Sequence, residues 1–194
     1  MKRMDLVEAL QQLIDKERVT ANKTVLEQHS HDESYHDPKL PEAVVFPETA
    51  EEVSRVMSFA NEHEIAVVPF GVGSSLEGHT IPLKGGISID FQLMNRVLKV
   101  RPGDFLVKVQ PGVTRTQLNQ ELKKYGLFFP VDPGADATIG GMTANNASGT
   151  TSGRYGIMRN QVRDLEVVLA DGKIIHSGGL AEKSSSGYNL NNLF

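Results

Sequence analysis

Between Phe70 and Asp90 the chain carries five glycines and a proline (Gly71, Gly73, Gly78, Pro82, Gly85 and Gly86), and no helix survives that spacing. Whatever joins the apolar run 65–68 to the apolar run 87–89 is therefore a loop. Its first part, PFGVGSSLEGHT over residues 69–80, has a definite chemistry. Gly71, Gly73 and Gly78 allow positive φ and close approach of the main chain to a ligand, and Ser74 and Ser75 add hydroxyl donors. Backbone N–H groups in such a loop can converge on a phosphate. Two familiar cradles are excluded. After Gly73 the next glycine falls at 78, not 76, so G-x-G-x-x-G is absent, and no G-K-[ST] follows. Asp90 stands near the place of a ribose-binding acid, but the chain before it is not the crossover helix which that role requires.

A second segment has the same character. Residues 133–156, PGADATIGGMTANNASGTTSGRYG, hold 16 Gly, Ala, Ser or Thr in 24 positions, yet Ile139, Met142 and Tyr155 interrupt them. A flexible linker would lack such anchors in mid-domain. Small residues over this length let a main chain pack against a large flat ligand, with Thr, Ser and Asn donors for its polar edges.

Together these segments resemble the two flavin-binding stretches of the vanillyl-alcohol-oxidase-type (PCMH-type) FAD domain, in the branch of the D-lactate dehydrogenases and glycolate oxidase flavoprotein subunits. The flanking PEAVVFP at 41–47, VQPGV at 109–113 and SGYNL at 186–190 agree with the resemblance. It implies that Gly71, Val72, Gly73, Ser74, Ser75 and Leu76 hold the pyrophosphate of FAD, with Phe70, Gly78 and His79 beside them. It further implies Thr138, Ile139, Gly140 and Gly141 at phosphate and ring edge, and Asn145, Asn146, Ser148 and Gly149 on the isoalloxazine side. Pro133, Gly134 and Tyr155 complete the implied set. In this branch the flavin is non-covalently held, so His79 is expected to contact the cofactor or the loop.

The implied activity is oxidation of a 2-hydroxy acid such as D-lactate or glycolate by hydride transfer to flavin N5, with an electron-acceptor protein or partner subunit to reoxidise it. The alternatives are a flavin-dependent non-redox synthase of the same superfamily and a non-catalytic remnant. The family pattern runs past Phe194 into a substrate-cap domain that this sequence does not contain. Residues 41–194 are thus expected to form an FAD-binding domain incomplete at its C-terminus and inactive alone, with residues 1–40 as an N-terminal helix and polar extension. No catalytic base is assignable.

Composition narrows the rest. A net charge of −4 with no concentrated basic face gives no reason to expect nucleic acid. The absence of cysteine rules out disulfides, thiolate metal sites and a cysteinyl flavin link, and fits a cytoplasmic location. Asp5, Glu8, Gln11 and Gln12 interrupt any apolar N-terminal stretch, so neither a signal peptide nor a membrane span is expected. No G-x-S-x-G surrounds Ser74, Ser75 or Ser148, which argues against a hydrolase. His29, His31 and His36, with Asp32 and Glu33, resemble a metal cluster by type, but the polar segment shows no fixed ligand spacing, so the histidines are expected to be solvated loop residues and no metal is expected. Arg154 is a candidate phosphate partner, while Arg159 and Arg163 read equally as surface or salt-bridge residues.

The fold class expected is α+β: a small parallel β-α-β unit pairing strand 43–46 with strand 65–69, then a mainly antiparallel sheet of strands near 86–90, 97–101 and 105–110, with flanking helices. Leu6, Leu10, Leu13 and Ile14 predict a helix over 4–17, followed by a polar, irregular stretch over 20–42. Thr49–Glu52 and Thr114–Gln117 read as capping boxes. A short helix over 140–147 would leave the Gly140 and Gly141 N–H groups available to an anion. Asp171-Gly172 predicts a hairpin between strands 163–170 and 173–176.

Overall fold

In the computed structural model the chain forms two compact units, one ending at Met94 and including Val168–Ile174, the other made of Asn95–Val167 and Ile175–Phe194. The structure describes residues 3–185 and 187–194; Ser186 of the SGYNL motif lies outside the described residues.

The first unit opens with α1 (Arg3–Leu10). The helix expected to reach residue 17 ends here, because Gln12 and Leu13 close tighter turns onto Ala9 and Leu10. The Leu13 carbonyl is taken by Arg55 Nε at 2.8 Å, and Asp15 caps a separate 3₁₀ turn. Leu6, Leu10 and Ile14 are nonetheless buried together. The stretch expected to be irregular contains β1 (Val19–Thr20) and α2 (Lys23–Gln28), the latter capped by Asn22, whose side chain accepts the Thr24 and Val25 N–H groups. After β2 (Ala43–Val45), α3 (Ala50–Glu62) buries Val53, Val56 and Ala60. Thr49 caps α3, but the box closes one residue early. Glu52 accepts the Glu48 N–H at 2.8 Å and both terminal guanidinium nitrogens of Arg18 at 2.5 Å.

β3 (Val67–Phe70) and β4 (Ile87–Asp90) complete a sheet in the order β1-β2-β4-β3. β4 pairs parallel with both β2 and β3, and only β1 is antiparallel. Two expectations are corrected by this. The strand at 86–90 is the centre of the parallel sheet, not the start of an antiparallel one, and β2 and β3 are not neighbours because β4 lies between them. A parallel return normally runs through a helix. Here the glycine-rich loop makes it, and the length of 71–86 suffices without one.

In the second unit, β5 (Val97–Arg101) and β6 (Leu106–Val109) form an antiparallel pair with an irregularity between Val97 and Lys99. α4 (Arg115–Lys123) is capped by the Thr114 hydroxyl. Gln117 turns away from the box to donate to the Asn95 carbonyl at 2.6 Å. α5 (Ile139–Ala144), α6 (Ser152–Tyr155) and α7 (Met158–Gln161) are short. β7 (Asp164–Val168) and β8 (Ile174–Gly178) pair with each other across the Asp171-Gly172 turn, the residues from Val168 to Ile174 belonging to the first unit. The expected antiparallel sheet is therefore two separate two-stranded sheets. The class remains α+β. Two small cores hold this unit, Val113, Leu118 and Leu122 in one, and Val131, Met142 and Met158 in the other.

Candidate functional site

The loop after β3 leaves the sheet at the C-terminal end of the parallel strands, where open α/β sheets bind ligands. It contains no helix; residues 71–80 are bends and turns. The φ is +68° at Gly73 and +76° at Gly78. Among the described residues, no protein acceptor takes the N–H groups of Val72, Gly73, Ser74, Ser75 or Leu76. Five consecutive open donors need water or a ligand to satisfy them. Val72, Leu76 and His79 are exposed, while Gly71, Gly73, Ser74 and Ser75 are half-buried. The Ser75 hydroxyl lies 2.9 Å from His79 Nδ1 and accepts the Glu77 N–H at 3.2 Å, so His79 is held by the loop itself.

What lies against this loop is the polar segment 29–36, and here the sequence reading is corrected. His29 is not a solvated loop histidine. It is buried, with Nδ1 2.8 Å from the Val25 carbonyl and Nε2 2.8 Å from Asp90 Oδ2. The ring is thus held at both nitrogens, by the main chain of α2 on one side and by the end of β4 on the other. The His29 ring also packs on Phe70, centroids 4.3 Å apart, just before the loop begins. Asp90 thus serves the protein's interior and not a ribose. His31 and His36 are exposed, as expected, and the His36 ring crowds Gly78, where a Cβ would come within 2.8 Å.

Asp32 is the second residue hidden in that segment. It is buried at 8% exposure between exposed His31 and Glu33, and its Oδ1 accepts the Ser34 N–H at 3.0 Å. Oδ2 is sealed from solvent without a donor at full hydrogen-bond geometry. Burial pushes the Asp32 carboxyl up, but the Ser34 hydroxyl and N–H, the Thr80 N–H and the Ser75 hydroxyl lie close enough to outweigh it and hold the group below its usual range.

The second segment is built differently. Thr138 caps α5 by accepting the Gly141 N–H at 3.2 Å, Gly140 N–H donates to the Pro111 carbonyl at 2.8 Å, and Ile139 N–H to the Val113 carbonyl at 2.8 Å. The expectation that Gly140 and Gly141 present free donors is therefore corrected, since all three N–H groups are spent inside the protein. The glycines here are demanded by packing. A Cβ at Gly140 would sit 2.7 Å from Pro111 Cβ, and one at Gly149 would overlap the Asp132 carbonyl.

Around them, Pro133 and Gly134 are exposed, and Asp132 accepts the Gly134 N–H at 3.1 Å. Asn145 ends α5, and Asn146, at φ +48°, accepts the Arg159 N–H at 3.1 Å. Ser148 is exposed, and Tyr155 packs edge-on against Phe128 at 5.5 Å with the Arg154 guanidinium over its ring. Arg163 reaches Glu182 at 3.5 Å. Asn191, just after the C-terminal SGYNL motif, is buried between Ser177 and the Arg163 carbonyl.

Against known proteins, residues 41–178 match the FAD binding domain family, and the chain belongs to that family. It is similar to a probable mitochondrial D-lactate dehydrogenase of Danio rerio, 45% identical over 97% of this chain and 39% of the relative. It is likewise similar to the mitochondrial D-lactate dehydrogenase [cytochrome] of Arabidopsis thaliana, 42% identical over 93% of this chain and 34% of the relative. Glycolate oxidase subunit GlcD of Bacillus subtilis is 38% identical over 86% of this chain and 36% of the relative. The chain thus spans between a third and two fifths of the length of these proteins. Among solved structures, p-cresol methylhydroxylase with substrate bound superimposes with a TM-score of 0.82 at 26% identity, over 99% of this chain and 40% of that one. An alkyldihydroxyacetonephosphate synthase does so with a TM-score of 0.80 at 26% identity, over 88% of this chain and 34% of that one. The fold is that of the PCMH-type FAD-binding domain. Among the described residues no helix is long and apolar enough to cross a membrane.

Proposed function

We propose that this chain is the FAD-binding portion of an oxidoreductase that removes the α-hydrogen of a D-2-hydroxy acid, such as D-lactate or glycolate, as hydride to flavin N5. One observation carries the reading: residues 41–178 match the FAD binding domain family. Relatives named as D-lactate dehydrogenases and a glycolate oxidase subunit, at 38% to 45% identity, supply the substrate class. The synthase neighbour, at 26%, lends less support to a non-redox activity. In this reading bound FAD supplies the hydride acceptor, and the chain supplies its position.

The open N–H groups of Val72–Leu76 hold the pyrophosphate, with Phe70, Gly71, Gly78 and His79 shaping the loop. From the second segment, Thr138 to Gly141, Asn145 to Gly149, Pro133, Gly134 and Tyr155 offer close approach and side-chain contacts; α5 offers no backbone donors. The cofactor is non-covalently held, the FAD-binding domain runs over 41–194 with 1–40 as its N-terminal extension, and the groups that bind the substrate carboxylate and the electron acceptor come from elsewhere. The cysteine-free sequence accords with the cytoplasm, while the Danio and Arabidopsis relatives are named mitochondrial.

Flavin titration of the purified chain tests this. FAD binds more tightly than FMN, which lacks the adenylate half and with it the second phosphate, and acid denaturation releases all of it into the supernatant. Equal affinity for the two flavins overturns the pyrophosphate reading of the loop. Flavin retained on the precipitated polypeptide overturns non-covalent attachment.

A further inference from the structure

We propose that His29 is a positioning residue for the glycine loop: its ring ties together the carboxyl ends of the three parallel strands and holds Phe70 as the template over which the loop turns at Gly73. The inference rests on the reading of that loop as the pyrophosphate cradle.

Three sets of contacts carry the assignment. First, the ring is fixed from outside the loop. Nδ1 lies 2.8 Å from the Val25 carbonyl in α2 and Nε2 lies 2.8 Å from Asp90 Oδ2, so the plane of the imidazole is set at both nitrogens. Asp90 is fixed in its turn, its Oδ1 accepting the Gln92 N–H at 2.8 Å. Second, the ring reaches β2, β4 and β3 together, at the end from which ligand loops leave a parallel sheet. Asp90 closes β4, Phe70 closes β3 as its register partner, and Phe46 follows β2. The His29 centroid stands 4.3 Å from that of Phe70, the rings tilted by 47°, and 6.0 Å from that of Phe46, edge-on at 80°. His29, Phe70 and Asp90 are all buried.

Third, Phe70 passes the constraint to the loop. Gly73 comes so close to the tip of the Phe70 ring that a Cβ would stand 3.0 Å from Cζ, with the His31 carbonyl oxygen at 3.9 Å. The chain turns there at φ +68°. The first loop residues thus wrap a ring that His29 keeps in place, and the open N–H groups at 72–76 flank that turn.

The hydrogen bonds of His29 go to Val25 and Asp90, neither of them in the loop, so His29 acts on a bound ligand through Phe70. That route has a signature in binding. Once Phe70 is gone, removing the His29 ring costs little more, and the two losses of FAD affinity do not add.

The experiment compares the wild-type chain, His29→Gln, Phe70→Leu and the double variant in two measurements: affinity for FAD and for FMN by flavin fluorescence, and amide hydrogen exchange of the flavin-free chain. His29→Gln removes the ring and keeps an amide N–H that can still donate to Asp90. It is expected to weaken FAD by about tenfold, the equivalent of one lost aromatic contact, and FMN by much less. Exchange is expected to speed at Glu33 and Glu77, the two amides bonded to Ser75, while the β2 and β4 amides stay protected. Phe70→Leu repeats this pattern, and the double variant binds FAD about as well as the weaker single one. His29→Asn, which keeps a donor for the Val25 carbonyl, stands in if His29→Gln does not fold.

Unchanged FAD affinity in His29→Gln, or losses that add in the double variant, overturns the proposal. So does an equal loss of FAD and FMN accompanied by faster exchange in β2 and β4, which would mark His29 as a packing residue. If the wild-type chain binds neither flavin, the cofactor reading fails, and the exchange measurement alone still decides whether His29 orders the loop.

Discussion

The two glycine-rich segments look alike as text and do opposite things. In 71–80 the main chain is held at Ser75 by the Glu33 N–H and lies against His36 and the Phe70 ring, and its donors at 72–76 are left open. In 133–156 the donors at the head of α5 are consumed by Thr138, Pro111 and Val113, and the missing side chains let backbone pass against backbone. Glycine content is thus not a measure of ligand binding. The fate of each N–H group is.

The sharpest way to break this contrast is Gly149→Ala. A methyl there has no space, since it would overlap the Asp132 carbonyl and crowd the Asp132 nitrogen, and backbone cannot move aside as a flexible side chain does. We expect a loss of about 3 kcal/mol or more, read as a collapse of the thermal midpoint or of soluble yield. A variant melting with the wild type would show that the second segment is not packed on its own backbone.

A smaller effect separates the two units by pH. The first depends on a bidentate ion pair, Arg18 with Glu52, whose side chains are 18% and 11% exposed. The hydrogen bond from Arg18 holds the Glu52 carboxyl below its ordinary value against the cost of burial, and Asp32 is lowered too. A depressed carboxylate stabilises the fold above its unfolded pKa, and the contribution disappears as pH falls through the folded value. The first unit should therefore lose about 1 to 2 kcal/mol on acidification from pH 5 toward pH 3.

In the second unit, burial pushes Asp136 up, and the Thr116 N–H and hydroxyl, the Thr114 hydroxyl and Arg115 bring it down further. Asp136 is exposed, however, and its contribution is screened. Hydrogen exchange followed against pH reads the two separately. Faster opening of the second unit would reverse the comparison. Glu52→Gln should flatten the acid response of the first unit.

How much of this was legible beforehand follows the range of the interactions. The loop after β3 was readable because glycine and proline exclude a helix locally, and the caps at Thr49 and Thr114 because an N-cap is a three-residue event. The pairing of β4 was not, because a long irregular return carries no mark of the direction in which it re-enters the sheet. His29 and Asp90 lie 61 residues apart, and nothing near either one announces the other. Asp32 carries no local sign of burial either, since its neighbours His31 and Glu33 are exposed and only the fold encloses it. Within 133–156 the small residues suggested room for a large flat ligand, whereas Gly140 and Gly149 are required where the Pro111 and Asp132 backbone passes, which composition alone does not reveal.

The mildest prediction is also the cleanest control on that last point. Gly153 lies in α6, four residues beyond Gly149 in the same segment, and a Cβ built there meets no atom within 4 Å. Its φ is not among the positive ones. Alanine at this position meets neither obstacle: it fills open space and restricts only the unfolded chain, so Gly153→Ala should leave stability unchanged or raise it by about 0.5 kcal/mol. Two glycines four residues apart in one segment would then differ by several kcal/mol in what they tolerate. If Gly153→Ala keeps its fold but loses FAD, the open space at α6 is ligand space, and this glycine joins the loop's in serving the cofactor. If it keeps both, the segment's glycines sort by the backbone they touch.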